Sequence, residues 1–286
     1  MPTTRDIRIL AEVHRFRTVT SEHLAALVFP GVGARTVQER LRRLALAGYL
    51  DRRYFVAVRT GRTPLTRLRM PVYVLGSAGH RALFGAARRS EKHAPLATSV
   101  EHLSHDLVAV DFLVALEVAA KSGDHDAPVH IESVTEYALR KRSRGAGLRL
   151  IPDAAVTLRY GNRTAAFALE VVRAPVRRGN ATLTRKLRGY QAAARDGSLG
   201  RLLGAPVRAV IVALRTPLRE KRLRAAGARS GLIWTVPYER FETAGPPATH
   251  FTPETILTLP MTDLAGRTYS LGAPFTPERE TPSPLR

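Results

Sequence analysis

Asp111 stands where the pattern around it asks for an apolar side chain. Val100, Leu103, Leu107, Val110, Val114 and Val118 recur at helical spacing, and Asp111 falls inside that stripe. A carboxylate buried there is costly unless it is paired or holds a cation. Two outcomes follow: it completes an acidic cluster with Asp153 and Glu170, or it accepts hydrogen bonds from a buried Arg. His102 and His105, spaced i, i+3, have no third ligand nearby in the sequence and read as ordinary helix residues, not as a zinc site. The chain has no cysteine, which excludes thiolate nucleophiles, disulfides and Cys-ligated clusters and fits a reducing, cytoplasmic setting.

The other chemistry is cationic. Lys+Arg number 45 against 24 Asp+Glu, a net charge of +21 in 286 residues that are 44% hydrophobic. Such a surplus belongs on the surface of a folded protein and seeks polyanions. Only five of the cations are lysines (Lys92, Lys121, Lys141, Lys186 and Lys221), so each lysine is more informative than any one arginine. The charge divides as +12 over residues 1–98, +10 over 99–243 and −1 over 244–286. No stretch approaches the ~20 uninterrupted apolar residues of a membrane helix, and no secretory leader is expected.

Elements that would position these residues can be read from periodicity. Ile7, Leu10, Val13 and Phe16 mark a first helix. A second runs from Thr20/Ser21 as N-cap to Val28, and Pro30-Gly31-Val32-Gly33 breaks the chain. Val37, Leu41 and Leu44 then mark a third helix that ends at Gly48. Strands at Leu50–Val58 and Pro71–Leu75, joined by a polar loop over Arg59–Arg69, complete the pattern of a winged helix-turn-helix over residues 4–84. The 100° step places Arg35, Glu39 and Arg43 opposite the apolar stripe of the third helix, flanked by Thr36 and Arg42, where they would enter a major groove. Arg59, Arg62, Arg67 and Arg69 in the wing suit phosphate and minor-groove contacts. Ser77 reads as the N-cap of a helix to Phe84.

Residues 85–98 read as a linker. Beyond it the order is helix (99–121), three strands (129–140, 149–160, 164–173), helix (181–196), strand (207–214), helix (217–229) and strand (231–236), giving an α/β (α+β) domain over 99–243. Basic clusters sit at Arg140, Lys141, Arg142, Arg144 and Arg149, around an expected hairpin, and at Arg173, Arg177, Arg178, Arg185 and Arg188, around a turn into a helix. A phosphate backbone would fit between them. Residues 244–286, with eight of the 19 prolines, read as an extended tail.

That order resembles the restriction-endonuclease-like core, and Pro152-Asp153 with Glu170 resemble the Pro-Asp and Asp/Glu of the PD-(D/E)XK superfamily. The resemblance implies that Asp153 and Glu170, with Asp111 as an accessory acid, would hold Mg²⁺ or Mn²⁺ beside a scissile phosphate. The motif lysine is absent, because Val172 occupies its position. Lys186, on the sheet-facing flank of the next helix, is the candidate replacement. Helix and core together resemble the replication-relaxation family of plasmid and mobile-element proteins over about residues 5–240. The match rests on Arg5-Asp6-Ile7 to Phe16, His102-Leu103 through Asp106-Leu107 to Asp111, Pro152-Asp153-Ala154, Phe167 to Glu170-Val171, and Lys186-Leu187 to Tyr190. Its implied role is double-stranded-DNA binding in plasmid replication and DNA relaxation, with no cofactor needed for binding, and with replication or relaxase proteins and a second copy of the chain as partners. An active metal-dependent endonuclease and a winged-helix transcription regulator remain the alternatives.

Overall fold

The computed structural model describes residues 2–58, 67–85, 100–122, 129–146, 150–172, 176–214, 221, 223, 230–238, 251 and 253–272. The chain forms two compact units, one of residues 1–114 with 243–249 and the other of 115–242 with 250–286.

Unit 1 opens on helix α1 (Thr4–Phe16). The Thr3 hydroxyl accepts from the Asp6 N–H, and the Asp6 carboxylate accepts from the Thr3 N–H at 2.7 Å, so two orphan donors are satisfied at once. A short strand β1 (Val19–Thr20) leads into α2 (Ser21–Val28), where Thr20 is the N-cap and the His23 ring accepts from its N–H. Helix α3 (Ala34–Leu46) buries Val37, Leu41 and Leu44 as its spacing predicts. Strands β2 (Leu50–Val58) and β3 (Arg67–Leu75) pair antiparallel from Leu50↔Leu75 to Val58↔Arg67, and β1 lies on the far side of β3. Arg67 and Arg69, expected in the loop, therefore belong to a strand. Helix α4 (Ser77–Phe84) is capped by Gly76, not Ser77. A Cβ at Gly76 would sit 2.4 Å from the Gly48 carbonyl oxygen, and one at Gly79 would sit 2.2 Å from that of Tyr49. Only glycine lets α4 start this close to the turn between α3 and β2.

Helix α5 (Val100–Ser122) contributes residues up to Val114 to unit 1 and its remainder to unit 2. Among the described residues, no helix is long and apolar enough to cross a membrane.

Among the described residues, unit 2 holds one mixed sheet of seven strands, which follow one another across it in reverse chain order. Strands β4 (Val129–Thr135), β5 (Ala154–Tyr160) and β6 (Arg163–Val172) are antiparallel neighbours. Strands β7 (Val207–Leu214) and β8 (Ile233–Pro237) extend the sheet in parallel. Helices α6 (Glu136–Ala146), α7 (Val176–Arg195) and α8 (Ser198–Leu203) share one core with the sheet, with Leu139, Leu187, Tyr190, Leu199 and Leu202 packed among Ala155, Ala168, Val210 and Val212.

Two expectations change. The strand foreseen to residue 140 stops at Thr135, where the Glu136 N–H donates to the Asp153 carbonyl at 3.0 Å, and α6 begins. Glu136–Ala146 is rich in helix formers, pairs Glu136 with Arg140 at i, i+4, and buries Leu139 and Ser143. Part of the stretch read as an extended tail is folded: α9 (Pro253–Ile256) precedes β9 (Met261–Asp263) and β10 (Thr268–Tyr269) on the sheet's edge. Pro253 occupies the first helical position, where a missing N–H costs nothing, and Pro260 directly precedes a strand. Trp234 stacks on Tyr269 with ring centroids 4.4 Å apart, which ties this edge to the core. The helix foreseen at 217–229 lies almost entirely outside the described residues.

Candidate functional site

Asp153 sits at the entrance to β5. Its N–H donates to the Leu169 carbonyl at 3.0 Å, and its Oδ2 accepts from the Val171 N–H at 2.7 Å, so backbone on both sides clamps it beside β6. Glu170 lies in β6, and strand alternation puts it on the face of Ala166 and Ala168, beneath the helices. On α7, Lys186 and Tyr190 are spaced i, i+4 and share the face that looks down on it. Lys186 Nζ donates to Glu170 Oε1 at 2.5 Å, and the Tyr190 hydroxyl donates to Oε2 at 2.9 Å. The structure thus brings Asp153, Glu170 and Lys186 together. Val172, at the motif-lysine position, packs against the helix-side core, and the ammonium arrives from α7 instead.

Burial governs the electrostatics. Glu170 is 6% exposed, and its carboxyl is pushed up to about 7, chiefly by desolvation and next by the negative charge of Asp153; Lys186 and Tyr190 offset part of this. The Tyr190 phenol, fully buried, is held far above its ordinary value by burial and by the adjoining Glu170.

A hard dication needs several oxygen ligands with open lone pairs. Here both Glu170 oxygens accept from Lys186 and Tyr190, Asp153 gives one oxygen to a backbone N–H, and no group of three or more potential ligands occurs among the described residues. In this arrangement a dication would compete with Lys186, Tyr190 and the Val171 N–H for the carboxylate oxygens of Glu170 and Asp153.

Asp111 lies in unit 1 and has a histidine among its partners. It is 2% exposed, and its Oδ1 lies 3.3 Å from Nε2 of His23, itself 1% exposed. Because Nδ1 of His23 accepts the Thr20 N–H, the network assigns the proton to Nε2, which donates to Asp111. His23 was not foreseen as a partner, although its place three residues after the N-cap Thr20 is a capping-box position. Tyr190 was foreseen only as part of a motif; its i, i+4 relation to Lys186 was the available signal.

On α3, Arg35, Thr36, Arg42 and Arg43 are exposed. Glu39 accepts from Arg42 at 3.0 and 3.2 Å and from Arg43 at 2.9 Å, and these bonds hold its carboxyl down at about 2. Arg40 points elsewhere: it donates to the buried Asp6 at 2.7 Å and ties α3 to α1. Arg67 and Arg69 pair by backbone with Val58 and Val56, whereas Arg59 and Arg62 lie outside the described residues. In unit 2, Arg140, Lys141, Arg142 and Arg144 are on helix α6 and not on a hairpin, Arg177 and Arg178 open α7, and Arg185 and Arg188 are exposed along it. Arg149 and Arg173 lie outside the described residues.

Fold and site together define a two-unit α/β protein whose larger sheet carries a closed Asp–Glu–Lys–Tyr cluster. The replication-relaxation family model matches residues 10–201, and the chain belongs to that family. No curated protein and no solved structure matches it significantly.

Proposed function

We propose that this protein binds double-stranded DNA in the replication of a plasmid or other mobile element and in the accompanying relaxation of DNA. In this reading unit 1 works as a winged helix, and unit 2 is a nuclease-like core that holds DNA without cutting it. The observation that carries the reading is the two-sidedness of α3: Val37, Leu41 and Leu44 face the core while Arg35, Thr36, Arg42 and Arg43 face solvent. A helix with that division, following a helix and a tight turn, is suited to a major groove, where arginine recognises guanine by two hydrogen bonds. Family membership supports a replication role and replication-related partners.

The closed state of Glu170 supports a core that does not cleave. Its carboxylate is engaged on both oxygens, and Lys186 is its ion-pair partner, not an open acid or electrophile. The test is incubation of the full chain with supercoiled and linear duplex in Mg²⁺, in Mn²⁺ and in EDTA, alongside selection of bound sequences from a random duplex pool. Salt-sensitive binding without nicking is expected. Arg35→Ala/Arg43→Ala should weaken discrimination between selected and random sites by about tenfold. Nicking in metal that disappears in both Asp153→Ala and Glu170→Ala would overturn the non-cleaving core, and no binding at low salt would overturn the DNA reading altogether.

A further inference from the structure

We infer that the solvent side of the α6–α7–α8 layer in unit 2 is a sequence-independent surface for the phosphate backbone of duplex DNA. The inference rests on the DNA-binding reading and deepens it by assigning unit 2's contact to the outside of this layer, away from the carboxylate cluster.

Packing decides which sides of the helices are available. Leu139, Leu187, Tyr190, Leu199 and Leu202 all turn into the shared core, so the opposite sides face solvent. The composition of those helices is one-sided in charge. Helix α7 has six basic residues and no acidic one, α6 has four basic residues against Glu136, and α8 adds Arg201. With a 100° step, Arg185, Arg188 and Arg195 fall within an arc of about 80° on α7, opposite Leu187 and Tyr190. All three are exposed, as are Arg142 and Arg201. The nearby acids cancel only part of this field. Glu136 pairs with Arg140 and Glu132 lies 3.5 Å from Arg142, whereas Asp196 accepts from the Ser198 N–H and Glu170 is buried on the inner side, so the excess rests chiefly on α7.

Two features select duplex over single strands. Single-strand surfaces interleave cations with exposed aromatic rings on which bases stack. Among the described residues the large hydrophobics most open to solvent are Leu46 and Tyr54, both in unit 1, while Tyr137 on α6 is only half-buried and has the Lys141 ammonium over its ring, 4.8 Å from the centroid, where a base would stack. Helix α7, at 20 residues, is about 30 Å long. Laid along the duplex axis, that length covers roughly nine base-pair steps of 3.4 Å and can bridge phosphates on both sides of a groove, a spacing that a single strand does not hold fixed. The bonds from Lys186 and Tyr190 to Glu170 fasten α7 from beneath and hold its outward arginines in place without using them.

The experiment measures log Kobs against log salt for the full chain on a random-sequence duplex, on a selected site and on a single strand of equal length. The variants are Arg185→Ala/Arg188→Ala, Arg185→Lys/Arg188→Lys and, in unit 1, Arg35→Ala/Arg43→Ala. Each lost phosphate contact lowers the slope by ~0.9, so the α7 alanine pair should lower it by about 2 on both duplexes. Sequence ranking should stay intact, and the lysine pair should restore the slope. An unchanged slope in the alanine pair overturns the proposal, and equally tight wild-type binding to the single strand overturns its assignment to duplex. Failure of the unit 1 reading registers separately, as sequence ranking that survives Arg35→Ala/Arg43→Ala.

Discussion

Glu170→Gln should make the protein more stable at alkaline pH than the wild type, although it removes a carboxylate from an ion pair with Lys186. The fold raises the Glu170 carboxyl from 4.5 to about 7, with burial first and Asp153 second among the causes. For a carboxyl raised on folding, the native state holds the proton more tightly. The stability this confers is complete below the unfolded value and is lost as pH climbs through about 7. At 1.36 kcal/mol per pH unit of displacement, the loss between pH 4.5 and 8 is roughly 3 kcal/mol. Glutamine imitates the protonated acid and does not titrate. Urea unfolding of both proteins between pH 4.5 and 8 should therefore give near-equal midpoints at the acid end and a variant more stable by up to about 3 kcal/mol at the alkaline end. The comparison removes every titration the two proteins share. A difference that is flat in pH would refute the argument. So would a variant that loses stability relative to wild type as pH rises, because the attraction of Lys186 would then outweigh desolvation.

Other perturbations test unit 1. Gly79→Ala forces a Cβ to within 2.2 Å of the Tyr49 carbonyl oxygen and should cost about 2 kcal/mol or more, read as a lowered urea midpoint. Asp111→Ala leaves the buried His23 Nε2–H without this acceptor and should cost about 2 kcal/mol, whereas Asp111→Asn, which keeps an acceptor oxygen, should cost less. If the two substitutions are equivalent in a thermal melt, the His23–Asp111 bond does not stabilise the unit.

The legible parts of the chain were those governed by local spacing. Val37, Leu41 and Leu44 specify both the existence of α3 and its buried side, because a 3.6-residue period admits one apolar stripe. The same geometry placed Lys186 on the sheet-facing flank of α7, and there it meets Glu170. Other features escaped. Glu136–Ala146 follows a β-like run directly, and without a proline or glycine between them the switch in period passed unmarked. The prolines of 244–286 suggested an extended tail, but two of them stand at element boundaries where a missing N–H is harmless.

From sequence alone came the α/β class, the apolar faces of the helices, the cationic excess and the absence of cysteine, all of which depend on composition or on neighbours a few residues apart. Tertiary structure decided the partners. Asp111 lies 88 residues from His23, and Glu170 lies 16 and 20 residues from Lys186 and Tyr190. A buried carboxylate must find donors, yet nothing local states which ones will reach it. That depends on which helix the sheet brings overhead, and so does the difference between an open pair of acids and the closed cluster this protein carries.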